Sequence, residues 1–310
     1  MTAHTPLHSL KRMSQELGVD LWVKRDDLSP IPGGGSKLRK MKRILGAAPP
    51  HTDSLVTNGG VQSNHARVAA ILAAQNGLKA HLILHGNPKE LEDPRGNLLL
   101  MLLAGAEVQV VPPEEIGPRL EAAMEELKAE GHHPYLVAGG GHSLEGALAL
   151  TTAVEELASQ CLMLEWIPDF IIHASGTGGT QAGILAGLDL VGWPTEVIGI
   201  SVARGAELGS KIVSDLYKEL RAHLNITGAI RRVDFRDNWV GNGYGKALPE
   251  ARAIIQKVCT LEGLPLDSTY TSKAMVALFD LIDDGVIPKG SKVLFWHTGG
   301  LLNLLSGGLL

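Results

Sequence analysis

Eight short apolar runs alternate with helical patterns along nearly the whole chain, and this alternation limits the possible folds more than any other feature. The runs are Leu21–Lys24, Ser54–Thr57, His81–His85, Glu107–Val111, Tyr135–Val137, Phe170–Ala174, Glu196–Ser201 and Lys292–His297. Between them lie segments with helical periodicity: Asn64–Asn76, Glu114–Glu130, Leu144–Gln160, Gly179–Leu190, Ala206–Leu224 and Ala247–Glu262. Strand, helix and returning strand make βαβ units. The expected fold class is therefore α/β, with parallel twisted sheets flanked by helices. At 310 residues the chain exceeds one ordinary core, so two lobes are expected.

Three of the strands end in glycine-rich turns, at Asn58-Gly59-Gly60, at Ser175-Gly176-Thr177-Gly178-Gly179-Thr180, and at Thr298-Gly299-Gly300. Ligands of open α/β sheets bind outside the carboxyl ends of the strands, so these turns are expected to share one site. The Ser175–Thr180 turn precedes a helix, and its glycines would let free backbone N–H groups approach an anion. It lacks the third glycine of a dinucleotide fingerprint and the Lys-Ser/Thr pair of a P-loop. A compact phosphorylated cofactor fits better than a dinucleotide or a nucleoside triphosphate. After the first turn, Ser63 and Asn64 open a helix. They serve either as its N-cap or as a cradle for a carboxylate or phenolate oxygen.

Lys37 closes the loop Gly33-Gly34-Gly35-Ser36 and begins a helical segment. On a helical wheel with Lys37 at 0°, Ile44, Met41, Leu45 and Leu38 span an apolar arc from about 340° to about 100° that contains Lys37, whereas Lys40, Lys42, Arg39 and Arg43, at about 300°, 140°, 200° and 240°, fall outside it. Those four are expected on the solvated face. A lysine drawn into dry surroundings favours its neutral, nucleophilic amine, the form that builds a Schiff base. A lysine that only snorkels at a helix start is the alternative. Aromatic residues make up only 4% of the chain, so Tyr244 and Tyr270, both in turns, stand out as candidate acid–base groups.

The net charge of −5 and the lack of a basic stripe argue against nucleic-acid binding. The histidines have no metal-ligand spacing, so no metal is expected. Cys161 and Cys259 belong to no paired motif, and the first residues contain no apolar leader. These features lead to an expectation of a reducing, cytoplasmic setting. The longest uninterrupted apolar run, Leu98–Ala104, is too short to span a bilayer, and no membrane partner is expected.

In their order, these motifs resemble the pyridoxal-phosphate enzymes of the tryptophan-synthase-β group, fold type II. Within that group the chain is similar to the D-cysteine desulfhydrase and 1-aminocyclopropane-1-carboxylate (ACC) deaminase family. The resemblance runs from Thr5-Pro6-Leu7 through Lys24-Arg25-Asp26-Asp27, Gly35-Ser36-Lys37-Leu38, Gln62-Ser63-Asn64-His65 and the Ser175–Gly183 segment. It continues through Gly243-Tyr244-Gly245 and Tyr270-Thr271-Ser272-Lys273 to His297-Thr298-Gly299-Gly300. It implies that Lys37 carries pyridoxal 5'-phosphate and that Asn64 lies beside the cofactor's phenolic oxygen. Ser175, Gly176, Thr177, Gly178, Gly179 and Thr180 would hold the phosphate. Ser63, Asn64, His65, Tyr244 and Tyr270 would meet a small amino-acid substrate, with Ser63 also a proton shuttle. A homodimer is implied as well, with a large cofactor-binding domain from residues 1–39 and 150–310 and a small inserted α/β domain from 40–149.

Two positions separate the family's branches. The ACC deaminase pattern has Glu after the second tyrosine and Leu in the last Gly-Gly turn, and the desulfhydrase pattern has Thr at both. Here Thr271 and Thr298 occupy them. A carboxylate beside the pyridine nitrogen would make a strong electron sink, and a threonine only a neutral hydrogen bond. The expected activity is β-elimination, with D-cysteine going to pyruvate, ammonia and sulfide. Cysteate, another β-substituted alanine, ACC deamination and a non-catalytic cofactor-binding role are the alternatives. Ser36, Ser268-Thr269 and Ser272 depart from the desulfhydrase pattern close to the pocket and bear on which substrate is taken.

Overall fold

A computed structural model describes residues 4–307. In chain order the strands are β1 (Leu7–Ser9), β2 (Asp20–Arg25), β3 (Ser54–Gly60), β4 (Lys79–His85), β5 (Glu107–Val110), β6 (Pro134–Val137), β7 (Phe170–Ser175), β8 (Glu196–Ser201), β9 (Asp234–Arg236) and β10 (Lys292–His297). The helices are α1 (Lys11–Leu17), α2 (Lys37–Gly46), α3 (Asn64–Gln75), α4 (Gly96–Leu103), α5 (Ile116–Ala129), α6 (Leu144–Met163), α7 (Gly179–Val191), α8 (Ala206–His223), α9 (Ala251–Glu262), α10 (Thr271–Asp283) and α11 (Leu301–Leu305).

All eight expected strands form, and they sort into two sheets. One has the order β1-β2-β10-β7-β8-β9 and the other β5-β4-β3-β6. Every pairing is parallel except the antiparallel edge pair β1–β2. The central strands β7, β8 and β10 are buried along nearly their whole length, as apolar runs covered on both faces must be. β1 and β9, each of three residues, lie at the sheet edges and were not expected. Runs that short and half-polar carry no periodic signal. The helices α1, α4, α10 and α11 were also not expected.

α6 packs along α7 because two glycines let the backbones meet. A Cβ at Gly183 would lie 2.3 Å from the Ala147 carbonyl oxygen, and one at Gly187 would lie 2.6 Å from Val154 Cβ. Alanine at either position would push the helices apart, a change that costs about 1–3 kcal/mol in a close-packed core. The segment Leu144–Leu164 is long and apolar enough by composition to cross a membrane, but it lies against α7, α2 and α8, with 56% of it buried.

The expectation for the basic face of α2 needs correcting. Lys42 and Arg43 are exposed, but Arg39 and Lys40 are buried. The helix is enclosed on more than one side because it packs on both α3 and α6. Arg39 meets Asp26 at 2.9 Å and Glu156 at 2.7 Å, and Glu156 also takes Lys24 at 2.5 Å. Thr5 donates its N–H to Glu156 and its hydroxyl to Asp26. Burial pushes the Glu156 carboxyl up, but hydrogen bonds from Arg39 and Lys24 outweigh it and hold it at about 2. This paired cluster fixes the rear of α2, whose first residue is Lys37.

Candidate active site

A cavity of about 680 Å³ opens between the two sheets, outside the carboxyl ends of β3, β4, β7, β8 and β10. Its walls include Lys37, Ser63, Asn64, His65, Gly176, Thr177, Gly178, Thr180, Tyr244, Tyr270 and Thr298. Eleven of the fourteen residues singled out in the sequence are thus brought together. Ser175, Gly179 and Thr271 are buried just outside the lining. Among the described residues, no aspartate or glutamate lines the cavity.

The loop before Lys37 is tightly determined. Gly33, Gly34 and Gly35 all have positive φ, and a Cβ at Gly34 would lie 1.7 Å from the Asp27 carbonyl oxygen. Only glycine fits there. Arg67 of α3 donates to the Gly33 carbonyl at 3.3 Å and to that of Gly34 at 2.5 Å, joining the loop to the helix that begins at Asn64. Burial lowers the Lys37 amine to about 8. The same burial, followed by the charges of Lys37 and Lys40, brings His65 down to about 3, so it is neutral. His65 Nε2 pairs with the Thr57 hydroxyl at 2.9 Å.

Ser63 is the N-cap of α3, accepting from the Ala66 N–H at 3.2 Å. Its capping role is therefore real, and its hydroxyl still borders the cavity. Asn64 donates to Asn303 of α11 at 2.7 Å. One amide hydrogen of Asn64 is thereby committed, and the other is free.

The turn before α7 forms a cup. Gly178 has φ 88° and serves as the N-cap, so the first N–H groups of α7 have no helical acceptor. Lys40, unpartnered and buried, points to this cup, with Nζ 3.2 Å from where a Gly179 Cβ would stand. Burial, and then the charge of Lys37, pushes Lys40 well below its ordinary value. Ser175 Oγ and His142 Nδ1 are also buried without partners. Arg204, another lining residue, donates to the Gly176 carbonyl. Orphaned donors and basic side chains converging on a helix N-terminus fit a phosphate group, whose charge would favour the Lys40 ammonium. Lys40, His142 and Arg204 were missed in the sequence, where Lys40 fell on the helix face expected to be solvated. A fourth glycine-rich strand end, Gly139-Gly140-Gly141 after β6, was an available signal for His142.

Elsewhere in the lining the Tyr244 and Tyr270 hydroxyls are 2.5 Å apart, with Tyr244 beside Gly60 at the end of β3. Burial raises both phenols, Tyr270 well above its ordinary value, with Tyr244 adding to that rise. His85, unmarked in the sequence, meets Tyr244 edge-on at 6.0 Å. Thr271 donates its hydroxyl to Asp267 at 2.8 Å and accepts from the Asp267 N–H. Its hydroxyl thereby secures the start of α10.

Two parallel sheets, a lysine at a helix start and a phosphate cup at their junction define a pyridoxal-phosphate enzyme of fold type II. The family profile described as "Pyridoxal-phosphate dependent enzyme" matches residues 2–299. The chain belongs to this family, and within it to the ACC deaminase/D-cysteine desulfhydrase group. It is 40% identical over 96% of its length, and 89% of the relative's, to a Pyrococcus abyssi protein named provisionally as a 1-aminocyclopropane-1-carboxylate deaminase. It is 35% identical, over 96% and 91%, to a D-cysteine desulfhydrase of Yersinia enterocolitica. A crystal structure of an ACC deaminase homologue superimposes with TM-score 0.90 at 38% identity, covering 98% of this chain and 91% of that one. A threonine deaminase from T.th., at TM-score 0.71 and 19% identity over 96% and 93%, shares the fold.

Proposed function

We propose that this protein is a lyase catalysing β-elimination from a small amino acid with a good leaving group on Cβ, of the kind D-cysteine presents. One observation carries the reading: the cavity joins a lysine and a phosphate cup in a lining without carboxylates. Pyridoxal phosphate, when bound, supplies a carbonyl carbon that takes up amino groups and a conjugated ring that accepts the electron pair released at Cα. A ring nitrogen with no carboxylate beside it makes a modest acceptor. That suffices when the β-substituent departs readily and suits cyclopropane opening less well.

In this reading the α7 N–H groups, Thr177, Thr180 and Lys40 would hold the phosphate, Asn64 would offer its free amide hydrogen to the phenolic oxygen, and Thr298 would border the ring. Lys37 is the attachment point. Its Nζ would take the Cα proton, and a value of about 8 makes about a tenth of the amine neutral at pH 7, far more than in an exposed lysine. Ser63 receives the substrate carboxylate at the α3 N-terminus. Tyr244 and Tyr270, whose phenols both lie above their ordinary value, give a proton to the departing group. Water then hydrolyses the product to a 2-oxo acid and ammonia.

The test is one panel: D- and L-cysteine, D- and L-cysteate, D-serine, β-chloroalanine and ACC, assayed for keto acid, sulfide and sulfite. Keto acid from a β-substituted alanine is expected. Product from ACC alone would overturn the reading in favour of ACC deamination, the activity carried by the name of the Pyrococcus relative. We also propose a homodimer with a large domain of residues 1–39 and 150–310, a particle that sedimentation would show at twice the chain mass of 32.9 kDa.

A further inference from the structure

Tyr244 belongs to residues 237–250, a stretch without helix or strand. Its own backbone bonds are local: Gly243 N–H donates to Val240, and Lys246 N–H to Gly243. The start of the stretch is tied by Asp237, which accepts from the Ala206 N–H. Beyond that point, every hydrogen bond from residues 238–247 to the rest of the described fold goes to α10 or its N-cap. Trp239 donates to Asp280 at 2.6 Å, Tyr244 meets Tyr270, and Lys273 donates to the carbonyls of Val240 at 2.8 Å and Gly243 at 3.0 Å. Tyr270, Lys273 and Asp280 are spaced three and seven apart, which places them on one helical face.

Lys273 is the unusual member. It is fully buried and forms no ion pair among the described residues. Its third acceptor, at 3.4 Å, is the carbonyl of Val202, a cavity-lining residue at the end of β8. A buried ammonium without a carboxylate in contact is costly; here three backbone carbonyls are its hydrogen-bond partners, and the charge of Asp267 supports it from farther off. Neutral alternatives would fill the same space without that cost, so the charge is invested in gathering these carbonyls.

We propose that Lys273 is the positioning residue of the Tyr244 wall. Its ammonium clasps Val240, Gly243 and Val202 together and so holds the Tyr244 hydroxyl against that of Tyr270 at the cavity wall. The clasp stands on geometry alone. Its effect on turnover rests on the function proposed above.

The experiment uses full-length protein carrying Lys273→Met, Tyr244→Phe, or both. The first readout is amide hydrogen exchange, which needs no turnover. Lys273→Met is expected to quicken exchange across residues 238–246 by roughly tenfold or more and to leave β7, β8 and β10 unchanged. The second is a double-mutant cycle on kcat and KM. Tyr244→Phe lowers kcat in the parent protein but changes it less than about twofold in the Lys273→Met background, because the tyrosine is already displaced. Unchanged exchange, or full additivity of the two substitutions, overturns the proposal. Quickened exchange with no effect of Tyr244→Phe on turnover upholds the clasp and removes Tyr244 from the chemistry. If Lys273→Met does not fold, Lys273→Gln, with a shorter uncharged donor, takes both measurements.

Discussion

Replacing Lys37 with methionine should make the cofactor-free protein more stable at neutral pH, and the gain should shrink as the pH rises. Burial holds the Lys37 ammonium at about 8, whereas an unfolded lysine titrates near about 10.4. The folded-state value is the depressed one, so the folded chain sheds its proton first. Below pH 8 the folded protein bears the full cost of a charged, buried amine. Between 8 and 10.4 that cost falls away and the parent gains stability. At about 1.4 kcal/mol per pH unit of separation, the burden is roughly 3 kcal/mol at pH 7 and about 1–1.5 kcal/mol at pH 9.5. Methionine fills a similar volume without charge, so these figures bound the gain. Relief of Lys40, which Lys37 also depresses, acts in the same direction. Urea unfolding of both proteins, stripped of cofactor, at pH 7 and pH 9.5 measures the difference. A variant less stable at pH 7, or a gain that does not change with pH, would refute the argument that burial disfavours the Lys37 charge.

Three further outcomes are expected. Lys40→Met should weaken pyridoxal phosphate binding about 10- to 100-fold, through loss of a charge-assisted bond, and saturating cofactor should restore the visible absorbance; unaltered affinity in a spectroscopic titration would remove Lys40 from the cup. Tyr244→Phe should slow turnover most for substrates whose leaving group needs a proton, so kcat should fall further with D-serine than with β-chloroalanine, and equal losses would contradict the acid role. Asp26→Ala leaves Arg39 with Glu156 as its only carboxylate partner and strips the Trp296 indole N–H of its acceptor, and should cost about 3–5 kcal/mol in chemical denaturation.

The sequence is informative where periodicity is long and uninformative where contacts are distant. β7, β8 and β10 are six-residue strands with apolar centres, Phe170–Ile172, Val197–Ile200 and Val293–Trp296, and they appear within a residue of where they are expected. The Ser175–Thr180 cup was legible because its function is written in consecutive residues. The Tyr244–Tyr270 contact spans 26 positions, and nothing local marks it. Lys40 and Arg39 were misread because a helical wheel shows one apolar arc but cannot show that a second face is covered. Arg39 goes inside because carboxylates from β2's end and from α6 meet it there. Lys40 goes inside beside a helix N-terminus, a placement that pattern alone does not encode. Thr271 was read for the chemistry of its hydroxyl, and the structure commits that hydroxyl to Asp267.

The strand order has a consequence for how the protein is made. β10, at residues 292–297, lies between β2 and β7 and pairs with both. The six-stranded sheet is therefore split until residues 292–297 leave the ribosome. After β7 emerges, its partner β10 is still more than a hundred residues away, a wait of about 6–25 s at ordinary synthesis rates. The four-stranded sheet uses only residues 54–137 and has all its strands by then. During the wait α6, apolar enough to pass for a membrane segment, stands beside an unfinished sheet. Its temporary covers are α2, already made, and α7, which follows directly. A nascent chain halted after β8 is thus expected to hold a finished small sheet and an exposed, chaperone-dependent remainder.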